Sequence, residues 1–122
     1  MSEVLVIDDN PAQLSVRQAV LREAGFSVTA AASAEEALDW VAQDASSREL
    51  RVILTDHVLP GASGAAFVRS LRESRPAVPV FVVTGMDDAE SEYSGLGVTF
   101  LYKPCAPEEL IRNVRESLRA DG

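Results

Sequence analysis

Five side chains with the makings of a reactive site stand at separated points of the 122-residue sequence: Asp8 and Asp9, Asp56, Thr84 and Lys103. Three carboxylates brought together would repel one another and raise at least one pKa unless a cation lay among them. A hard divalent ion resolves that conflict. Mg²⁺ prefers oxygen ligands, keeps several waters and commonly takes one or two protein carboxylates alongside a phosphate oxygen. One histidine, His57, and one cysteine, Cys105, cannot assemble a zinc or copper centre. A carboxylate can also attack phosphorus and form an acyl phosphate, leaving the protein to position the groups and neutralise charge. In such a site Lys103 would pair with one phosphoryl oxygen and the Thr84 hydroxyl with another. Backbone N–H groups near Gly85 would donate too, where the missing side chain permits close approach.

Elements that change period along the chain must bring these residues together. Residues 3–7 are short, β-branched and apolar, and they end at Asp8-Asp9-Asn10-Pro11, where Asn10 can cap and Pro11 begin a helix that Gly25 stops. Residues 26–31 read as a second strand. Ser33 with Glu36 then forms a capping box for a helix to about residue 43. A third strand is expected at 51–55, a loop at 56–63, a helix at 64–73, and a fourth strand at 80–84. A short polar segment, 87–94, precedes a fifth strand at 98–101. The last helix, 107–119, carries Leu110, Ile111, Val114 and Leu118 on one face and Arg112, Arg115, Glu116 and Arg119 on the other.

Alternating strands and helices, with strands apolar almost throughout, imply a parallel sheet covered on both sides. The expected class is α/β: a flavodoxin-like, doubly wound five-stranded parallel sheet of strand order 2-1-3-4-5. Ligands bind such sheets beyond the carboxyl ends of the strands, where the strand order reverses. Asp8 and Asp9 follow the first strand, Asp56 the third, Thr84 the fourth and Lys103 the fifth, so all five candidates fall on one edge.

The pieces Val-Leu-Val-Ile-Asp8-Asp9-Asn10, Leu-Thr-Asp56-His-Val-Leu-Pro60-Gly-Ala-Ser-Gly64, Val-Val-Thr84-Gly85 and Phe100-Leu-Tyr-Lys103-Pro104 occur in that order. With them the sequence resembles, over essentially its whole length, the receiver domains of bacterial response regulators and hybrid histidine kinases. The resemblance implies one receiver domain over residues 1–122. It makes Asp56 the phosphoacceptor, supplied from a phosphohistidine of a kinase or transfer protein, with Mg²⁺ held by Asp8, Asp9, Asp56 and the backbone carbonyl of Val58. It makes Lys103 the site lysine, Thr84 the hydroxyl that moves onto the phosphoryl group, and Phe100 the aromatic switch residue. The Lys103-Pro104 bond is expected to be cis. The fourth helix, fifth strand and fifth helix would form the surface for a homodimer or an output partner. Such a domain is a signalling switch and not an enzyme, beyond self-catalysed acceptance and loss of its own phosphoryl group.

Each residue also has a plainer reading. Asp8-Asp9 alone is a cap and solvated turn, Thr84 a strand end, Lys103 a solvated lysine, Phe100 a core aromatic and Cys105 a small buried hydrophobe. Position after successive strands is what argues for a site. The stretch between Thr84 and Lys103 is a few residues shorter than is usual in that family, so the fourth helix should be short. Val58 and Met86, two residues after Asp56 and Thr84, are apolar where many relatives are polar, and cannot orient an attacking water.

Three other functions compete. An aspartate-nucleophile phosphatase needs an acid two residues after the nucleophile, where Val58 stands. A degenerate receiver, serving only to bind protein, should have lost the acceptor, the acids or the lysine. A flavodoxin-type carrier would have a Ser/Thr/Gly-rich phosphate loop after the first strand. A net charge of −8, from 19 acidic and 11 basic residues, argues against direct nucleic-acid binding. No apolar run approaches the roughly 20 residues that span a bilayer, so no membrane association and a cytoplasmic location are expected.

Overall fold

The computed structural model describes residues 3–43, 45–59, 61–85 and 87–120. Strand β1 (Val4–Ile7) is wholly buried and leads into helix α1 (Pro11–Glu23). The Asn10 side chain caps α1 by accepting from the N–H groups of Ala12 and Gln13, and Pro11 fills the first position, where no N–H is needed. At the other end Gly25 adopts φ +102°, its N–H returns to the Arg22 carbonyl, and the Phe26 N–H returns to that of Leu21. This left-handed closure turns the chain into strand β2 (Val28–Ala31), two residues shorter at its start than the sequence suggests. Helix α2 (Ala34–Gln43) starts as expected, with the Ser33 hydroxyl accepting the Glu36 N–H.

A 3₁₀ turn, Ala45–Glu49, had no signature in the sequence. Strand β3 (Val52–Asp56) follows, then helix α3 (Gly64–Ser74), strand β4 (Val80–Thr84), strand β5 (Val98–Tyr102) and helix α4 (Pro107–Ala120). Between β3 and α3 the expected loop contains a two-residue antiparallel ladder, Val58–Leu59 against Ala62–Ser63. Between β4 and β5 the short segment is a 3₁₀ helix, Asp87–Tyr93, the tighter turn that a short connection permits. Met86, and Pro60 of the second motif, lie outside the described residues.

The five strands are parallel in the order β2-β1-β3-β4-β5, as expected. Side chains alternate between two cores. Leu5, Ile7 and Ile53 point toward α2 and α3, where they meet Val41, Phe67 and Leu71. Val4, Val6, Val52 and Leu54 point the other way, toward Leu21 of α1 and Leu110 and Val114 of α4. Burial on both faces explains why the strands read as continuous apolar runs. Because β1 has β2 on one side and β3 on the other, the chain reverses its direction of winding there, and a crevice opens at the carboxyl ends of β1 and β3. Among the described residues no helix is long and apolar enough to cross a membrane.

Candidate functional site

Asp8 follows β1 directly and Asp56 is the last residue of β3, so the strands fix both backbones. Strand β3 runs one residue further than the sequence suggests, with Asp56 opposite Val83 of β4. Asp8 is 1% and Asp56 6% exposed, whereas Asp9 is open to solvent. One carboxylate oxygen from each of the three acids lies within 4.8 Å of the others. The expected convergence of acids is therefore present in the fold.

Their surroundings differ. Asp8 Oδ1 accepts the Asn10 N–H at 2.9 Å, and its Oδ2 pairs with Arg17 Nη1 at 2.8 Å. Burial, the largest influence, pushes the Asp8 carboxyl up; the nearby Asp56 charge adds to this, while the Asn10 N–H, Arg17 and Lys103 oppose it. Asp56 Oδ1 has Lys103 Nζ at 3.0 Å as a counter-charge, yet among the described residues no donor meets it with hydrogen-bonding geometry. A buried carboxylate oxygen without a hydrogen bond costs free energy unless something else supplies the interaction. With a solvent-facing Asp9 beside it, this donor set fits a hard oxygen-seeking divalent ion.

Thr84 ends β4, buried, with its carbonyl accepting the Lys103 N–H at 2.9 Å. Lys103 itself follows β5 and is exposed, and its peptide bond to Pro104 is cis. A Cβ at Gly85 would meet Lys103 Cβ at 3.9 Å, an ordinary contact, so the protein alone does not demand glycine there. Val58, in the two-residue ladder, is 63% exposed. Phe100, on β5, is half-buried and meets the Tyr93 ring edge-on at 5.3 Å and the Tyr102 ring at 6.4 Å.

Two residues beside the acids carry more than the sequence reading gave them. His57 is buried, with Nδ1 2.8 Å from the Tyr93 hydroxyl and Nε2 3.3 Å from Glu92 Oε2. Nothing in the local pattern joins positions so far apart. Arg17 had a visible signal: it interrupts the inward stripe of α1 between Leu14 and Leu21, where a charge needs a partner. Cys105 is half-buried against the α1–α4 core, and burial, then the charge of Glu109, pushes its thiol up, as befits a packing residue.

Residues 4–115 match the response regulator receiver domain family. The chain is 32% identical to the uncharacterized transcriptional regulatory protein YkoG of Bacillus subtilis, over 98% of this chain and 52% of that protein. It is 32% identical to the probable transcriptional regulatory protein TcrX of Mycobacterium tuberculosis, over 98% of this chain and 50% of that one. The chain thus spans about half the length of these curated relatives. Among solved structures it resembles the chemotaxis response regulator CheY4 of Vibrio cholerae, with TM-score 0.83 and 30% identity over 96% of this chain and 98% of that one.

Proposed function

Because the chain belongs to the response regulator receiver domain family, we propose that it accepts a phosphoryl group on Asp56 and thereby switches a partner-binding surface. The observation that carries this reading is the buried Asp56 carboxylate, with one oxygen beside Lys103 and otherwise unsatisfied among the described residues, and two further acids within reach. The donor is a phosphohistidine of a kinase or transfer protein. A carboxylate oxygen of Asp56 forms a bond to phosphorus as the bond from phosphorus to the donor nitrogen breaks, and that nitrogen keeps the electron pair. Lys103 balances the charge gathering on the phosphoryl oxygens, at a distance it already holds to Asp56. Asp8, Asp9, Asp56 and the Val58 carbonyl would hold Mg²⁺, which when bound neutralises negative charge on the acids and the transferred group.

The added charge then draws the Thr84 hydroxyl inward, and Phe100 responds from the neighbouring strand. The output surface comprises the 3₁₀ segment Asp87–Tyr93, β5 and α4, and serves an output partner or a second copy. In this reading residues 1–122 form one receiver domain. Val58, apolar and exposed, offers no acid two residues after Asp56, which disfavours a phosphatase. A purely protein-binding receiver should have lost the acceptor, the acids or the lysine, and all of them are present here.

Isothermal titration with beryllofluoride tests the reading. Binding is expected with Mg²⁺, and loss of binding in chelator and in Asp56→Asn. Equal binding in either of those two conditions would overturn the site.

A further inference from the structure

Arg17 is a cation already seated among the acids. It projects from the second turn of α1, its side chain is 11% exposed, and its Nη1 lies 2.8 Å from Oδ2 of an Asp8 side chain that is 1% exposed. The other Asp8 oxygen is taken by the Asn10 N–H. Both Asp8 oxygens therefore have a protein partner, while among the described residues Asp56 Oδ1 has only Lys103 beside it, and Asp9 faces solvent. The three acids of the cluster are unequal before any ion arrives.

We propose that Arg17 sets the strength with which this site takes up a divalent cation: it holds Asp8 as a paired carboxylate, so the incoming ion draws mainly on Asp9 and Asp56 and competes with the guanidinium for Asp8. The inference rests on the reading of the cluster as a cation site. Three carboxylates carry three negative charges, Lys103 supplies one positive charge and Arg17 a second, so a divalent ion meets a cluster already two-thirds neutralised. Arg17 also repels the ion directly. Two like charges, one of them double, a few ångströms apart at a wet protein edge weaken binding on the order of tenfold. Arg17 has a compensating use, because without it the buried Asp8 charge would stand unpaired whenever the ion is absent. The residue therefore exchanges cation affinity for the integrity of the metal-free state. It is a positioning residue acting through Asp8, not a group that touches the phosphoryl donor.

Calorimetric titration of the full chain with MgCl₂ tests this, using the wild type, Arg17→Gln and Arg17→Lys. Arg17→Gln keeps a hydrogen-bonding side chain and removes the charge, and should bind Mg²⁺ roughly tenfold more tightly. Arg17→Lys keeps the charge and should stay close to the wild type. In chelator Arg17→Gln should melt lower than the wild type, and Mg²⁺ should raise its Tm by more. A merely structural Arg17 predicts the lower melting point without the gain in affinity, and unchanged or weaker binding by Arg17→Gln would overturn the inference.

The wild type gives an independent measurement should a variant fail to fold. The Arg17 side-chain N–H signals, identified by their loss in Arg17→Lys or by triple-resonance assignment, should shift and exchange faster with solvent as Mg²⁺ is added. Signals unmoved through saturation would refute the competition. A wild type that binds no Mg²⁺ at all would remove the cation site and this inference together, whereas normal wild-type binding with no gain in Arg17→Gln removes the inference alone.

Discussion

His57 Nδ1 lies 2.8 Å from the Tyr93 hydroxyl, joining the residue that follows Asp56 to the last residue of the 3₁₀ segment. Glu92 Oε2 stands 3.3 Å from the other ring nitrogen, so a ring that donates from Nε2 to that carboxylate can accept at Nδ1 from the Tyr93 hydroxyl. Burial first, then the Glu92 and Asp56 charges, hold the Tyr93 phenol well above its ordinary value, so it remains a donor. Tyr93 in turn meets Phe100 edge-on. The loop after β3, the 3₁₀ segment and β5 thus share one contact chain.

Tyr93→Phe keeps the ring contacts and removes only the hydroxyl. It leaves a buried imidazole nitrogen without a partner and should cost about 1 to 3 kcal/mol in urea unfolding. Phosphoryl acceptance at Asp56 should survive. The chemical-shift changes at Phe100 on adding beryllofluoride should shrink, and changes of undiminished size would show that the hydroxyl carries no coupling.

Gly64 begins α3 in a crowded place. A Cβ there would collide with the Tyr93 hydroxyl and lie 2.9 Å from the Asp56 carbonyl oxygen and 3.2 Å from His57 Cα. Backbone at that distance cannot step aside as a flexible side chain can. Gly64→Ala should therefore destabilise by about 1 to 3 kcal/mol and displace the loop after β3, despite alanine's better helix propensity. Thermal melting together with Mg²⁺ affinity checks this; a variant as stable as the wild type would show the loop to be looser than the packing implies.

Asp8 gives a pH dependence whose sign is set by burial. Its carboxyl is raised above its ordinary value of 3.8, so the folded chain holds that proton to a higher pH than the unfolded chain does. The associated stability is present in full below pH 3.8 and lost as pH rises through the folded-state pKa. In chelator, the melting temperature of Asp8→Asn minus that of the wild type should increase as pH rises from about 4 to 7. Saturating Mg²⁺ should remove or reverse that trend, since a bound cation favours the charged carboxylate. A difference independent of pH in chelator would contradict the burial effect.

Thr84 is buried at the end of β4, paired in register with Tyr102 two residues beyond Phe100. Thr84→Ala should still accept a phosphoryl group at Asp56, with smaller shift changes at Phe100 and across the 3₁₀ segment. NMR spectra with and without beryllofluoride measure this, and undiminished changes would exclude Thr84 as the link.

Much of this was legible because it depends on period and punctuation. Residues 4–7, 52–55 and 80–84 are apolar at every position apart from a Thr at the end of the latter two, which only a strand buried on both faces requires, and Asn10-Pro11 and Gly25 mark the bounds of α1 by their backbone chemistry. The order of the strands then places Asp8, Asp56, Thr84 and Lys103 on one edge. The tie between His57 and Tyr93 was not legible, because it spans 36 residues and rests on how closely α3 lets the 3₁₀ segment approach. The two-residue ladder after β3 was equally hidden, being too short for a periodic signal. Arg17 lay in plain view within an apolar stripe, but its partner Asp8 is nine residues away and becomes its neighbour only once α1 folds back against β1.

Phosphoryl acceptance at Asp56 is the step on which the proposed switch depends. Intact-mass spectrometry after incubation with acetyl phosphate and Mg²⁺, followed by peptide mapping, reads the outcome directly. The wild type should gain the mass of one phosphoryl group, mapped to Asp56, with no gain in chelator and none in Asp56→Asn. Equal labelling of Asp56→Asn, or a label mapped to another residue of the wild type, would contradict it.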